Sequence, residues 1–362
     1  MQFELKTRQV CLFFIAFLPL SKLFLMPSVM SGFANEDAHL CALFNLILDF
    51  LTLIFILRAT KHTDMNLYRL LETKIGRLGA KIILSLYLIY FMTKCLVPLN
   101  EQKEYVMRTL YTLTPTLIYF LPFFFVAFYF CTKNLRVVGR AADLLWIITS
   151  IGLIILFCLS FSNVDFSALL PIGANGINSV LKGSYASLTW FGDALYLLFF
   201  MGEYKFNKKD GKKIVLSFII SAVTVIFFVI VFYTVFTSIA FRQRFALTEI
   251  SKYSTVISNI GRFDYIGIIM LLFSNLFALS LPLFFSCKII NYLFNIKTKW
   301  VSPIIVVLIH AGIIILFYQR VYSIEQLVMK YIGVLFLIMA NVVPILISLT
   351  IKKGDNYESE KG

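Results

Sequence analysis

Apolar segments of membrane-spanning length occupy most of this chain. A helix needs about 20 apolar residues to cross the hydrocarbon core of a bilayer. By that measure the sequence predicts ten spans, at 10–30, 38–57, 80–99, 115–132, 142–161, 184–203, 214–240, 264–294, 301–319 and 328–351. Only 14% of the 362 residues are charged, against about 25% in a typical soluble domain. We therefore expect an all-α polytopic membrane protein, with a single transmembrane domain at 1–353 and a disordered cytoplasmic tail at 354–362.

The distribution of Lys and Arg among the loops predicts the orientation. Most of them lie before the odd-numbered spans and after span 10, and basic loops are retained in the cytoplasm. Both termini are therefore expected in the cytoplasm, which requires an even number of spans. The basic loop at 58–79 contains a helical run, Leu67 to Lys74, which we expect to lie at the membrane interface. Because these loops account for the net charge of +14, we expect the lipid bilayer as a partner and no nucleic acid.

The first span is interrupted near its middle. Pro19-Leu20-Ser21-Lys22 separates two apolar pieces, and Pro27 lies inside the second piece. Proline removes a backbone donor and clashes with the preceding turn, so the helix is expected to break here. Unpaired backbone is tolerated in a membrane only where it is buried in protein or lines a cavity. Interrupted spans therefore point to the binding site of a transporter-like protein.

Span 6 carries a second interruption, Trp190-Phe191-Gly192-Asp193. If the spans are divided into five and five, the interrupted spans come first in each half, at about 1–162 and 163–351. An odd number of spans per half gives the two halves opposite topology. The sequence thus predicts the 5+5 inverted-repeat architecture of amino-acid permeases (LeuT-like), with helices 1 and 6 broken.

Several ionisable residues lie inside predicted spans, where charges are costly and often functional. Lys22 and Asp193 flank the two interruptions, and we expect them to lie within reach of each other. Lys22 is interpreted either as a fixed cation at an ion or ligand site, or as a structural partner of a buried acid. Lys94, near the predicted end of span 3, is expected to extend towards water. Asp49, with Asn45 one turn earlier, is expected to link spans by hydrogen bonds, and a proton-relay role stays open.

Uncharged polar residues add weaker candidates. Tyr90, together with Tyr87 in span 3, is a candidate gate. Asn275, with Ser274 and Ser280 in span 8, either lines a cavity or joins helices by hydrogen bonds.

The sequence contains no motif typical of an enzyme. Its histidines, His39, His62 and His310, are outside any zinc-protease arrangement, and phosphate-binding and nucleophile-elbow motifs are absent. The cysteines occur singly, without CxxC or metal-ligand spacing. We expect neither an enzyme nor a bound cofactor or metal.

Broken helices favour a particular ligand chemistry. The N-terminal ends of half-helices present free N–H groups that suit a carboxylate. The freed carbonyls at the opposite ends suit an ammonium group. An amino acid offers both groups, while a sugar or a nucleoside stays possible.

Three short motifs follow one another in order along the chain. They are Leu18-Pro19 through Lys22 to Met26-Pro27; Leu169-Leu170-Pro171-Ile172 with Gly176-Ile177 and Lys182-Gly183-Ser184; and Ile260-Gly261-Arg262-Phe263-Asp264. Through their order and spacing, nearly the whole chain resembles the endospore germination permeases, the B subunits of spore germinant receptors. These belong to the amino acid–polyamine–organocation superfamily.

The resemblance implies a protein of the spore inner membrane that senses a small-molecule nutrient germinant and acts with an A subunit and a lipoprotein C subunit. It also implies a ligand pocket around spans 1 and 6. In one respect the chain departs from many superfamily transporters, because Pro-Leu-Ser-Lys replaces a glycine-rich break. The candidate ligand-binding residues are Pro19, Leu20, Ser21, Lys22, Phe24, Tyr90, Thr189, Trp190, Gly192, Asp193 and Asn275.

Three interpretations stay open. The first is a germinant-sensing subunit, and the second is a proton-coupled amino-acid permease. The third is a structural scaffold for the A subunit, whose pocket would be filled by side chains such as Trp190.

Overall fold

The computed structural model describes residues 5–109, 116–161, 164–204, 206–207, 209–252, 264–317 and 326–351. Secondary structure in these ranges is helical, apart from an isolated parallel bridge between Leu5 and Tyr204. The predicted tail at 354–362 and most of the motif at 260–264 lie outside them.

The α-helices are defined here in chain order. They are α1 (Thr7–Phe17), α2 (Met26–Ala34), α3 (Ala38–Thr60), α4 (Leu67–Thr109), α5 (Leu121–Cys131), α6 (Leu135–Ser160), α7 (Gly176–Ala186), α8 (Leu195–Phe199), α9 (Asp210–Phe236), α10 (Ala246–Lys252), α11 (Asp264–Phe294), α12 (Val301–Phe317) and α13 (Val328–Thr350), the last with π-helical turns at Val328–Ile332 and Ile338–Val342.

Several helices are long and apolar enough to cross a membrane, so this is a multi-pass membrane protein. Among the described residues there are six such segments: Met26–Thr60, Leu67–Met107, Leu135–Cys158, Asp210–Arg242, Tyr265–Phe294 and Val328–Thr350. Shorter apolar helical segments occur at Ile118–Cys131, Leu188–Phe199 and Val301–Leu316. Large apolar side chains such as Phe125 and Leu316 are exposed on the outside, as expected for surfaces that face lipid. The count of ten spans stays a prediction.

The helical backbone is interrupted between α1 and α2. Pro19 has no N–H to donate to the preceding turn, and the chain passes through a single 3₁₀ turn, Leu20–Lys22. The freed carbonyls of Leu23 and Phe24 accept hydrogen bonds from the first N–H groups of α10, at 3.1 and 3.0 Å. The interruption is therefore stabilised by protein groups, as the low-dielectric interior requires.

A second interruption separates α7 from α8. A 3₁₀ turn, Leu188–Trp190, is followed by Gly192, whose φ is +86°. A side chain at this φ would be strained, and a Cβ here would lie 2.6 Å from that of Ala340 in α13. Glycine is thus required both by the backbone angle and by the close approach of α13.

α4 consists of two helical parts divided at Gly76, where φ is +76° and ψ is 167°. The helical character of the predicted run from Leu67 to Lys74 is confirmed, and its place at the membrane interface stays a prediction. The second part of α4 packs against α11, and α1 packs between α6 and α9. α4 and α11 thereby lie beside the first interruption.

Candidate functional site

Lys22 and Asp193 bring the two interruptions together. The Lys22 ammonium donates hydrogen bonds to the Asp193 carboxylate and, at 2.7 Å, to the carbonyl oxygen of Leu18. The side chain of Lys22 is 0% exposed. The predicted contact between these residues is confirmed. Its physical reason is that a cation so deeply buried requires a carboxylate within hydrogen-bonding distance.

Lys94 is a second cation at the same carboxylate. Its Nζ donates to the carbonyl oxygen of Phe191 and lies 3.4 Å from Asp193 Oδ1. The expectation that Lys94 extends towards water is wrong, since the residue is only 7% exposed. The reason is that α4 does not end near residue 99 but continues to Thr109, so Lys94 lies well inside the helix.

Two polar residues of α3 hold the second interruption. Both carboxylate oxygens of Asp49 accept from the backbone N–H of Gly192, at 3.0 and 2.9 Å. Asn45 Nδ2 donates to the carbonyl oxygen of Ser184 at 2.9 Å and to Ser187 Oγ at 3.0 Å. The expected role of these residues as hydrogen-bonded links between helices is confirmed.

Four buried ionisable groups meet where the two interruptions approach each other. Lys22 and Lys94 supply two ammonium groups, and Asp49 and Asp193 supply two carboxylates, all of them buried. Each group also bonds to backbone freed by an interruption or to an opposite charge. Such pairing offsets the cost of desolvating the charges only when hydrogen bonds satisfy the remaining lone pairs and protons.

A small cavity of about 30 Å³ lies beside Asp193. Its polar lining comes from Ser21, Lys94, Thr189 and Asp193. Within the described structure, Thr189 Oγ1 has no hydrogen-bond partner. This is room for no more than a few water molecules, so the site must open before it can hold an amino acid.

Glu101 is a site residue that the sequence analysis missed. It lies on α4, is 1% exposed, and accepts from the indole Nε1 of Trp190 at 2.8 Å. Its other oxygen accepts from the backbone N–H of Leu25 at 3.3 Å. One carboxylate thus bonds to both interruptions.

The spacing of residues along α4 would have allowed Glu101 to be predicted as a site residue. Tyr90, Lys94, Pro98 and Glu101 recur at intervals of four, four and three residues, which places them on one face of a helix. That face lies along both interruptions, because Lys94 contacts Phe191 and Asp193 while Glu101 contacts Leu25 and Trp190.

The other predicted residues fall into two groups. Tyr90 is buried, and its oxygen would lie 2.8 Å from a Cβ built at Gly192, so Tyr90 closes against the second interruption. Asn275 donates instead to Gln102 Oε1 at 3.2 Å, which joins α11 to α4 and favours the helix-linking interpretation.

The remaining residues of the first interruption belong to the core. Pro19, Leu20 and Phe24 are buried and lie outside the lining of the small cavity. Phe24 packs against the ring of Tyr105, with centroids 5.6 Å apart.

A larger cavity, of about 990 Å³, opens next to Leu25, and we call it the vestibule. Apolar side chains such as Val29 and Phe33 line it together with four cationic ones: Lys182, Arg242, Arg244 and Lys330. No Asp or Glu is among its lining in the described part of the chain. Arg244 also pairs with Glu104 of α4 at 3.3 Å.

Residues 4–326 match the model of the family described as spore germination protein. The chain belongs to the spore germination protein family. Spore germination protein KB of Bacillus subtilis (strain 168) is 27% identical over 206 residues, which are 55% of this chain and 55% of that protein. The match to this curated relative thus spans about half of its length.

Solved structures similar to this spore germination protein include those of a transporter. The manganese transporter of Eremococcus coleocola, in complex with an aromatic bis-isothiourea substituted compound, has a TM-score of 0.61 and 11% identity, with 94% of this chain and 78% of that chain covered. A mutant of that transporter gives a TM-score of 0.59 at 11% identity, with 93% and 78% covered. The germination protein therefore has a transporter fold. In its described residues, no group of three or more His, Cys, Asp and Glu is placed to hold a metal ion.

Proposed function

We propose that this spore germination protein is the nutrient-sensing subunit of a germinant receptor, and that it binds an amino acid between its two interrupted helices. The observation that carries the proposal is the meeting of both interruptions at Lys22, Lys94 and Asp193. Ligand sites of transporter-type folds are formed by discontinuous helices at such a meeting point.

We assign ten crossings to the bundle. They are α1 with α2, α3, α4, α5, α6, α7 with α8, α9, α11, α12 and α13. The interrupted helices then stand first and sixth, which supports the LeuT-like inverted repeat with halves at about 1–162 and 163–351.

The position of Lys22 favours sensing over ion-coupled transport. Its ammonium bonds to Leu18 O, a carbonyl at the C-terminal end of α1. In transporters of this type, unwound carbonyls and the C-terminal ends of half-helices coordinate the coupling cation. A tethered ammonium occupies such a position permanently, so no ion gradient would be coupled to movement of the ligand.

The family supports a spore membrane location and partnership with A and C receptor subunits, to which ligand binding would be passed as a conformational bias. A proton-coupled amino-acid permease is the second candidate. The observation that favours it is the transporter fold combined with the buried carboxylates of Asp49 and Asp193.

A thermal-shift panel on the purified protein tests the proposal, with single amino acids, sugars and nucleosides as probes. A compound at 100 times its dissociation constant is expected to stabilise the fold by about 2.7 kcal/mol. The stabilisation should be lost in Thr189→Val, which removes a cavity-lining hydroxyl. It should persist in Thr224→Val, an exposed hydroxyl on α9.

Two outcomes would contradict the proposal. If no compound shifts the unfolding temperature, the scaffold interpretation gains support. If proteoliposomes accumulate the stabilising amino acid in response to a proton gradient, the permease interpretation replaces the sensor.

A further inference from the structure

Glu101 lies where a carboxylate from outside the protein would be expected to bind. Its Oε2 accepts from the N–H of Leu25, the residue that caps the start of α2. The beginning of a helix carries free N–H groups and a partial positive charge, which attract anions. Its Oε1 accepts from the indole of Trp190, beside the second interruption.

At the other end of the site, Lys22 lies where an ammonium from outside the protein would be expected to bind. Its ammonium bonds to the carbonyl oxygen of Leu18 and to Asp193. A carbonyl end and an N–H end of the first interrupted helix are therefore both occupied by side chains of the protein itself. These are the two groups of an amino acid, an ammonium and a carboxylate.

The Glu101 contact adjoins the vestibule, because Leu25 lines the vestibule and its backbone N–H bonds to Glu101. Arg244 pairs with Glu104, and the other three cationic side chains, without an acidic one among the lining in the described residues, make the vestibule attractive to anions. A cleft lined by charges of one sign raises the local concentration of ligands of the opposite sign. A molecule that bears a carboxylate is therefore drawn towards Leu25.

We propose that Glu101 is an internal competitor for the carboxylate of the ligand. The inference rests on the proposed function and deepens it. In the ligand-free protein Glu101 joins Leu25 to Trp190 and holds the two interruptions together. A ligand carboxylate that arrives through the vestibule takes over both hydrogen bonds, and the displaced Glu101 no longer connects α4 to the interruptions.

The substitution Glu101→Gln tests this competition. The amide has nearly the same shape but carries no charge, so it competes less well for the start of α2. We would use protein in which Trp190 is the only tryptophan (Trp146→Phe, Trp300→Phe) and follow its fluorescence. The probes are glycine, N-acetylglycine, which keeps the carboxylate, and glycinamide, which keeps the ammonium. We expect N-acetylglycine to bind the variant at a concentration at least about fivefold lower than it needs for the parent.

The matched control is Glu72→Gln, which removes a carboxylate from the same helix. Glu72 bonds to Tyr292, far along α4 from the interruptions. Its variant should bind the probes as the parent does. If Glu101→Gln does not fold, Glu101→Asp carries the test. It retains the charge but is one methylene shorter, and it should also bind N-acetylglycine more tightly than the parent.

Other results would overturn the inference. If Glu101 instead receives the ligand's ammonium, Glu101→Gln weakens the binding of glycine and glycinamide and leaves N-acetylglycine unchanged. Binding of N-acetylglycine to Glu101→Gln and to the parent at the same concentration would refute the competition, and absence of binding by N-acetylglycine to the variant would refute the carboxylate site. The proposed function fails separately, when no compound of the thermal-shift panel stabilises the parent protein.

Discussion

Asp193 is the carboxylate that contacts both buried lysines of the site. Its carboxylate pairs with Lys22 of the first interruption and lies 3.4 Å from Lys94 of α4. Both lysines are buried, with side chains 0% and 8% exposed. Removing the shared carboxylate leaves two desolvated cations together, and their mutual repulsion is added to the cost of desolvation.

We expect Asp193→Asn to destabilise the protein by about 3–5 kcal/mol, the usual cost of removing one partner from a buried pair. Chemical unfolding of the detergent-solubilised protein measures the change. Asp143→Asn is the control, since Asp143 forms its ion pair with an Arg8 side chain that is 71% exposed, and an amide keeps an oxygen that can accept from Gln9. There the loss should be at most about 1 kcal/mol. Equal losses in the two variants would contradict the assignment of Asp193 as the centre of a buried cluster.

At this scale the sequence predicts the residues that flank the interruptions, because proline, glycine and isolated charges are visible in it. It does not predict Lys94 or Glu101 as site residues. The polar run at 100–104 resembles a loop by hydropathy, which records polarity and not the partners that a fold provides. In the structure Glu101 bonds to Trp190 and Gln102 bonds to Asn275, so the helix continues through this run.

At the scale of elements, α6 and α11 approach each other closely at two glycines. A Cβ at Gly152 would lie 3.2 Å from the carbonyl oxygen of Gly267, and a Cβ at Gly267 would lie 3.4 Å from that of Gly152. Small residues allow helices to approach in membranes, where association depends on packing and not on the hydrophobic effect. No single sequence feature distinguishes these glycines from others, because the contact exists only after folding.

We expect Gly267→Val to separate α6 from α11 and to lower the stability by about 1–3 kcal/mol, as overpacking does elsewhere. Gly312→Val in α12 is a matched control, since a Cβ there meets nothing within 4 Å. Both substitutions place the same residue within a helix. The difference between their unfolding free energies therefore isolates the contact, and a difference near zero would show that the helices do not depend on it.

At the scale of the whole molecule, the two ends differ. At one end the start of the chain is tied to two other helices: Thr7 donates to Asp210 at the start of α9, and Arg8 pairs with Asp143 of α6. Lys213, from a predicted cytoplasmic loop, lies 3.8 Å from the same Asp210. The vestibule lies instead between α2, α7 and α13.

We expect the basic end to face the cytoplasm. In a background without native cysteines, Phe33→Cys beside the vestibule should react with a membrane-impermeant maleimide added to intact cells. Phe294→Cys, exposed at the end of α11, should react only after the cells are opened. The reverse pattern would invert the predicted topology.

The contacts of Glu101 with Leu25 and Trp190 affect the concentration of ligand that the protein needs for binding. Under the proposed competition, a nutrient can bind only to the fraction of molecules in which Glu101 has released its hydrogen bonds with Leu25 and Trp190. The apparent dissociation constant is then the intrinsic one divided by that fraction, and each tenfold decrease of the fraction raises the required concentration tenfold. A spore that carries such a protein would stay dormant at low nutrient concentrations and germinate only at high ones. The strength with which one carboxylate, that of Glu101, holds its contacts would set the threshold concentration.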